Sequence, residues 1–160
     1  MRTPGLVDLQ VNGFAGVDFN SGTITASELD RALEAMLATG VTTCLPTLIT
    51  AHPQELETRF AALDRAVGDS RLGPLMCPGY HLEGPFLNPA PGYAGCHPPE
   101  AMTAANPDLV VGLERKLARP ILMVTLAPEV EGGIALAAAL SRLGKVVAIG
   151  HAAADFETVA

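Results

Sequence analysis

Short apolar runs alternate with stretches whose apolar residues recur every three or four positions, from Leu6 to the end of the chain. Leu6 to Val11, Val41 to Leu48, Leu75 to Leu82, Ile121 to Leu126 and Val146 to Ile149 have the length and composition of buried strands. Leu29, Leu33, Met36 and Leu37 predict a helix capped by Ser27, with Asp30 three residues on, and stopped at Gly40. Leu56, Phe60, Leu63 and Val67 predict a second helix after Pro53, with His52 at its entry. Asn106-Pro107 opens a third, a polar cap followed by proline at the first helical position, continued by Leu109, Val110, Leu113 and Leu117. Leu136, Leu140 and Leu143 mark a fourth that Gly144 ends, and residues 152–160 open another. Such alternation predicts an α/β chain with a parallel sheet and right-handed crossovers. About five strand-helix units fit, whereas a closed (β/α) barrel needs eight strands, leaving an open doubly wound sheet or an incomplete barrel.

With 49% hydrophobic and 17% charged residues among 160, the chain is composed like one folded unit. No apolar run approaches the ~18 residues that would span a bilayer, and Met1 to Gly5 lacks the apolar segment of a secretory leader. A cytoplasmic protein without membrane contact is expected. The net charge of −7, with ten dispersed Lys and Arg, argues against a nucleic-acid partner. Cys44, Cys77 and Cys96 form no C-x-x-C pair and read as reduced thiols. Two are expected to be buried, while Cys96 lies in a polar loop with its thiol accessible.

Candidate chemistry concentrates in Tyr80-His81-Leu82-Glu83-Gly84-Pro85 and the loop that follows it. Glu83 stands where an apolar strand runs out into a turn that cannot extend it. An acid at a strand's C-terminal end, beneath a long loop, is where a (β/α) barrel places its reactive groups. Gly150-His151 closes a second strand in the same way. Carboxylate plus neutral imidazole suits Zn²⁺ or another borderline divalent ion. Glu83 and His151 are therefore candidate metal ligands of a metal-assisted hydrolase. His81, two residues before Glu83, points to the same side of the strand and is a candidate for supporting it from behind. His97, after Gly95-Cys96, either contacts substrate or caps the turn at Pro98-Pro99. Gly13 and Gly16 after the first strand do not form a dinucleotide-binding pattern.

Five segments in order resemble the amidohydrolase superfamily and, within it, the deacetylases of N-acetylated amino-sugar phosphates. They are Pro4 to Gly13, Gly40 to Thr43 with Pro46 to Thr50, His81-Leu82-Glu83-Gly84-Pro85-Phe86, Thr125 to Glu129, and Gly150-His151. The resemblance implies a (β/α)₈ TIM barrel flanked by a small β-sandwich, homodimers of the complete protein, and a small-molecule amino-sugar phosphate as partner. It implies a reaction in which acetate leaves N-acetyl-D-glucosamine 6-phosphate to give D-glucosamine 6-phosphate. Glu83 and His151 then match metal ligands, and Cys96 and His97 match loop positions that touch the sugar phosphate. One divalent ion is implied, Zn²⁺ in first place with Fe²⁺ an alternative.

The chain departs from that pattern at four places. Gln10-Val11-Asn12 stands where many superfamily members carry His-x-His, so a single metal is expected. Ala152 and Asp155 replace the usual serine and threonine after the ligand histidine, removing a helix cap. Residues 84–99 hold no Lys or Arg, which weakens the expectation of phosphate anchoring there. No counterpart of the second histidine ligand or the catalytic aspartate occurs up to Ala160, so no catalytic residue is assigned within the chain. Residues 1–160 are expected to form one incomplete barrel domain, lacking the flanking sandwich, an N-terminal portion inactive by itself. A deacetylase of another N-acyl amino sugar, and a non-catalytic remnant or interaction module, are the alternatives.

Overall fold

The computed structural model describes residues 4–159. Expectations that touch residues 1–3 or Ala160, including the missing leader, lie outside the described residues. The strands are β1 (Leu6–Val11), β2 (Gly13–Phe14), β3 (Val17–Asp18), β4 (Val41–Ile49), β5 (Tyr80–Glu83), β6 (Ile121–Leu126) and β7 (Val146–Ile149). The helices are α1 (Ala26–Ala38), α2 (Pro53–Asp69), α3 (Gly73–Met76), α4 (Pro107–Glu114), α5 (Gly133–Arg142) and α6 (Phe156–Val159), with a 3₁₀ turn at Pro99–Ala101. Five strands form one sheet in the order β1-β4-β5-β6-β7, every neighbouring pair parallel. It curls as a partial (β/α)₈ barrel wall, the second of the two architectures that the alternation left open and the fold that the resemblance implied. The strands β2 and β3 form a separate antiparallel hairpin.

Three expected boundaries move, each for a local reason. Helix α1 is capped by Thr25, not Ser27: Thr25 accepts from the Glu28 amide and Glu28 accepts from the Thr25 amide. A Glu three residues after the cap reaches back to close this reciprocal box. Asp30 instead accepts the amides of Arg71 and Leu72, tying α1 to the connection between α2 and α3, at 3.0 and 2.9 Å. The strand expected over Leu75–Leu82 begins only at Tyr80. Pro74, in the first turn of α3, and the Gly73 amide bonded to Ser70 Oγ at 2.8 Å commit the preceding residues to a helical turn. Asp155, expected to leave α6 uncapped, accepts the Thr158 amide at 2.9 Å.

The core lies between the sheet's middle strands and the helices α1 and α2. Leu29, Leu33, Met36, Leu48, Leu56, Leu63 and Leu82 are fully buried there. Phe60 meets Tyr80 edge to face at 5.7 Å. The Tyr80 hydroxyl donates to Asp64 at 2.6 Å, and burial followed by that carboxylate pushes its pKa up. Cys44 and Cys77 are buried with their sulfurs 3.8 Å apart, and Cys96 is exposed. Burial and the neighbouring thiol raise the Cys77 pKa, the thiol contact being the larger cause. No helix among the described residues is long and apolar enough to cross a membrane.

Candidate metal centre

Strand register brings the chemistry to one rim. Glu83, the last residue of β5, pairs with Ile49 of β4 and Thr125 of β6. His151 follows β7 after the single turn residue Gly150, where a Cβ would stand 2.7 Å from the Thr125 methyl. The loop from Gly84 to Pro98 folds back over the rim and returns His97 to it. One ligand-type atom each from Glu83, His97 and His151 lies within 4.8 Å of the others. His151 Nε2 is 3.4 Å, and His97 Nε2 3.8 Å, from Glu83 Oε1. The two imidazoles cross at 61° with centroids 4.4 Å apart. His97 is 3% exposed, and its ring bonds Thr50 rather than capping the turn at Pro98-Pro99.

The carboxylate is held ionised. Burial alone pushes the Glu83 pKa up, but the facing His97 imidazole, the Gln10 amide and the charge of His81 together bring it down to about 2. Gln10 Nε2 donates to Glu83 Oε1 at 2.8 Å. Gln10, near the C-terminal end of β1, therefore turns a donor toward the acid.

His151 turns its Nε2 toward this acid. Its Nδ1 lies 2.7 Å from the Tyr93 carbonyl, which can only accept, so Nδ1 carries a hydrogen and, in the neutral ring, Nε2 holds the lone pair. The residue adopts φ +52°, a left-handed conformation costing about 1 kcal/mol for a non-glycine residue. Its carbonyl accepts from the Asn88 amide at 3.1 Å. Asn88 also donates to Glu129 at 2.9 Å, and Glu129 receives the Ala153 amide at 2.6 Å. Gly95 lies so close that a Cβ there would meet the His151 ring at 3.1 Å. A bare imidazole nitrogen beside an ionised carboxylate, with the opposite ring nitrogen bonded to a backbone carbonyl, is a donor set that fits a borderline divalent cation.

His81 is placed differently. Its Nδ1 donates to the Leu9 carbonyl at 3.0 Å and its Nε2 accepts from Thr125 Oγ1 at 2.7 Å. Both ring nitrogens are engaged, so His81 offers a cation nothing. It is joined to Glu83 through the strand while tying β1, β5 and β6 together. Burial holds its pKa below the usual histidine value, against the Leu9 carbonyl and the Glu83 charge. Cys96 is exposed beside His97. Gln10, Thr50, Asn88, Tyr93 and Glu129 were not among the candidate residues. Gln10 and Thr50 had a signal, being polar residues near the C-terminal ends of strands.

Curled parallel strands with a carboxylate and imidazoles on their C-terminal rim define the class, a (β/α) barrel portion with a candidate metal centre. No protein-family model matches the chain. N-acetylglucosamine-6-phosphate deacetylase of Caenorhabditis elegans is 34% identical over 160 residues, covering 95% of this chain and 37% of that protein. N-acetylgalactosamine-6-phosphate deacetylase of Escherichia coli O157:H7 is 34% identical over 159 residues, 96% of this chain and 40% of that protein. Among solved structures, a mutant N-acetyl-D-glucosamine-6-phosphate deacetylase from Mycobacterium smegmatis, in complex with N-acetyl-D-glucosamine-6-phosphate, superposes with TM-score 0.83 at 34% identity. That match covers 97% of this chain and 38% of the other. The chain is thus similar over nearly its whole length to amino-sugar-phosphate deacetylases and spans 37% and 40% of the length of these two curated relatives.

Proposed function

We propose that residues 1–160 are part of an amidohydrolase barrel that, when complete, removes acetate from N-acetyl-D-glucosamine 6-phosphate in amino-sugar catabolism. The observation that carries this reading is the meeting of Glu83, His97 and His151 on one rim, with His151 Nε2 3.4 Å from Glu83 Oε1. Glu83 and His151 would hold one divalent cation, Zn²⁺ in first place and Fe²⁺ as an alternative. Such a cation supplies Lewis acidity toward an amide carbonyl. Glu83 keeps its negative charge at neutral pH, and Gln10 fixes which way its carboxylate faces. His97 and Cys96 line the substrate side of the rim, where an imidazole N–H can donate to an oxygen gaining charge. His81 holds the strand that carries Glu83. The complete protein would be a cytoplasmic homodimer.

Two protein ligands hold a catalytic zinc less firmly than the usual three. The isolated chain is expected to bind Zn²⁺ weakly and to release no acetate. Calorimetric titration of the 160-residue chain with Zn²⁺ should find one site, lost in Glu83→Gln and in His151→Ala. Uptake unchanged in Glu83→Gln, or absent from the parent chain, would remove the metal reading and favour a non-catalytic module. Acetate release by the purified chain, abolished in Glu83→Gln, would overturn its inactivity. A second reading, another N-acyl amino sugar, is favoured by the uncharged 84–99 loop and by similarity to an N-acetylgalactosamine-6-phosphate enzyme. Comparing acetate release from both sugars, with and without phosphate, by the complete protein decides between them.

A further inference from the structure

Three ligand-type atoms meet at the rim, yet their hydrogen-bond partners treat the two imidazoles in opposite ways. His151 gives its Nδ1 hydrogen to a carbonyl. His97 faces Thr50 with its own Nδ1, which lies 2.9 Å from Thr50 Oγ1 and receives the Thr50 backbone N–H at 3.4 Å. A backbone N–H can only donate, so the nitrogen it faces is a lone pair. The single hydroxyl hydrogen of Thr50 has two acceptors within reach, His97 Nδ1 at 2.9 Å and the Glu83 carbonyl at 3.4 Å. The shorter contact takes it.

Thr50 is 1% exposed, and its hydroxyl occupies space that only a glycine leaves open. A Cβ on Gly84, which adopts φ +87°, would stand 2.1 Å from Thr50 Oγ1. With Nδ1 accepting twice, the ring hydrogen of neutral His97 sits on Nε2, the atom that looks toward Glu83 and His151.

We infer that Thr50 is a positioning residue that fixes the tautomer of His97, keeping it a hydrogen-bond donor at the rim and denying it the role of third cation ligand. Two imidazoles within reach of one carboxylate thus have separate duties, one offering a lone pair and the other an N–H. This deepens the metal-centre reading proposed above and rests on it for its purpose, though not for its geometry.

The test is long-range ¹H–¹⁵N correlation spectroscopy of the ¹⁵N-labelled 160-residue chain, at a pH where histidines are neutral and first without metal. His97 should display an unprotonated Nδ1 and a protonated Nε2, and His151 the reverse. Thr50→Ser should keep both patterns. Thr50→Val, with Thr50→Ala as a second variant should valine not fold, should change the His97 tautomer ratio about tenfold, the equivalent of one ordinary hydrogen bond. The His151 pattern should stay as it was. A protonated Nδ1 on His97 in the parent chain, or a Thr50→Val pattern identical to the parent's, overturns the inference. Zn²⁺ is then added. A coordination shift at His151 Nε2 with none at His97 Nε2 supports the assignment, and a shift at both defeats it. Absence of Zn²⁺ uptake counts against the proposed function alone, since the metal-free spectra have already decided the role of Thr50.

Discussion

At the middle of the sheet Tyr80, Leu82 and Val124 are fully buried, whereas on the outermost strands Leu6, Val7 and Val146 are 60%, 60% and 57% exposed. The middle strands have a neighbour on each side and helices against them; β1 and β7 each have one neighbour. The candidate centre draws on both kinds of strand. Glu83 ends β5, where position is set by a packed core, and Gln10 and His151 come from the margins. The carboxylate is therefore placed by packing, while the imidazole facing it is placed by a hydrogen bond to the Tyr93 carbonyl, one from the Asn88 amide and the Glu129 clip beside it. A site assembled this way should fail differently at its two ends.

The sharpest test is to thin each region in turn. Leu82→Ala should lower the unfolding free energy by about 2–5 kcal/mol, as deletions in a closed core do. Val146→Ala should stay within about 0.5 kcal/mol, as exposed substitutions do. Urea unfolding followed by far-ultraviolet circular dichroism measures both, and equal losses would erase the distinction between middle and margin.

A smaller effect is expected from His81→Leu, which leaves the Leu9 carbonyl and the Thr125 hydroxyl without their partner. Stranding buried polar groups costs about 1–3 kcal/mol. Because His81 adds a side-chain tie from β5 to β1 beyond the β1–β4 ladder, amide exchange should accelerate in Leu6–Val11 more than in β4. Uniform acceleration throughout the sheet would deny it that part.

Smallest in stability, yet informative about the centre, is Glu129→Gln. Burial raises the Glu129 carboxyl, but the Ala153 amide and the Asn88 side chain outweigh it and hold its pKa below the ordinary carboxylate value. A group whose folded pKa is depressed stabilises above its unfolded pKa, and that contribution is lost as pH falls through the folded value. The clip around residues 151–155 should therefore loosen in acid below the ordinary carboxylate range. In Glu129→Gln this acid response should vanish, and Zn²⁺ affinity at neutral pH should drop about tenfold, as when a group behind a metal ligand is removed. Unfolding free energy should barely move. Acid-dependent exchange at 151–155 that is unchanged in the variant would exclude Glu129 as the clip.

Apolar periodicity sufficed for the five sheet strands and the four longer helices, because buried runs and helical stripes are local properties of the chain. It failed at Leu75, where Pro74 and the Ser70 hydroxyl outweigh β-propensity, and at Thr25, where a reciprocal bond with Glu28 outcompetes the next serine. The hairpin Gly13–Asp18 has too few residues to show any period. Glu83 and His151 were legible because each ends an apolar run. The nearness of His97 to both was not, since it depends on the path of a loop of glycines and prolines. The strand-end position of Thr50 was a signal without a role, and Asn88 had none, because their worth lies in partners 47 and 41 residues away.

The three cysteines offer a handle for all of these measurements. Cys96 alone is open to solvent while Cys44 and Cys77 are sealed inside, and the chain has no tryptophan to report by fluorescence. A maleimide dye should therefore attach once to the native chain and three times after denaturation. One labelling reaction then places a reporter next to His97, and the count of dyes per chain becomes a readout of unfolding.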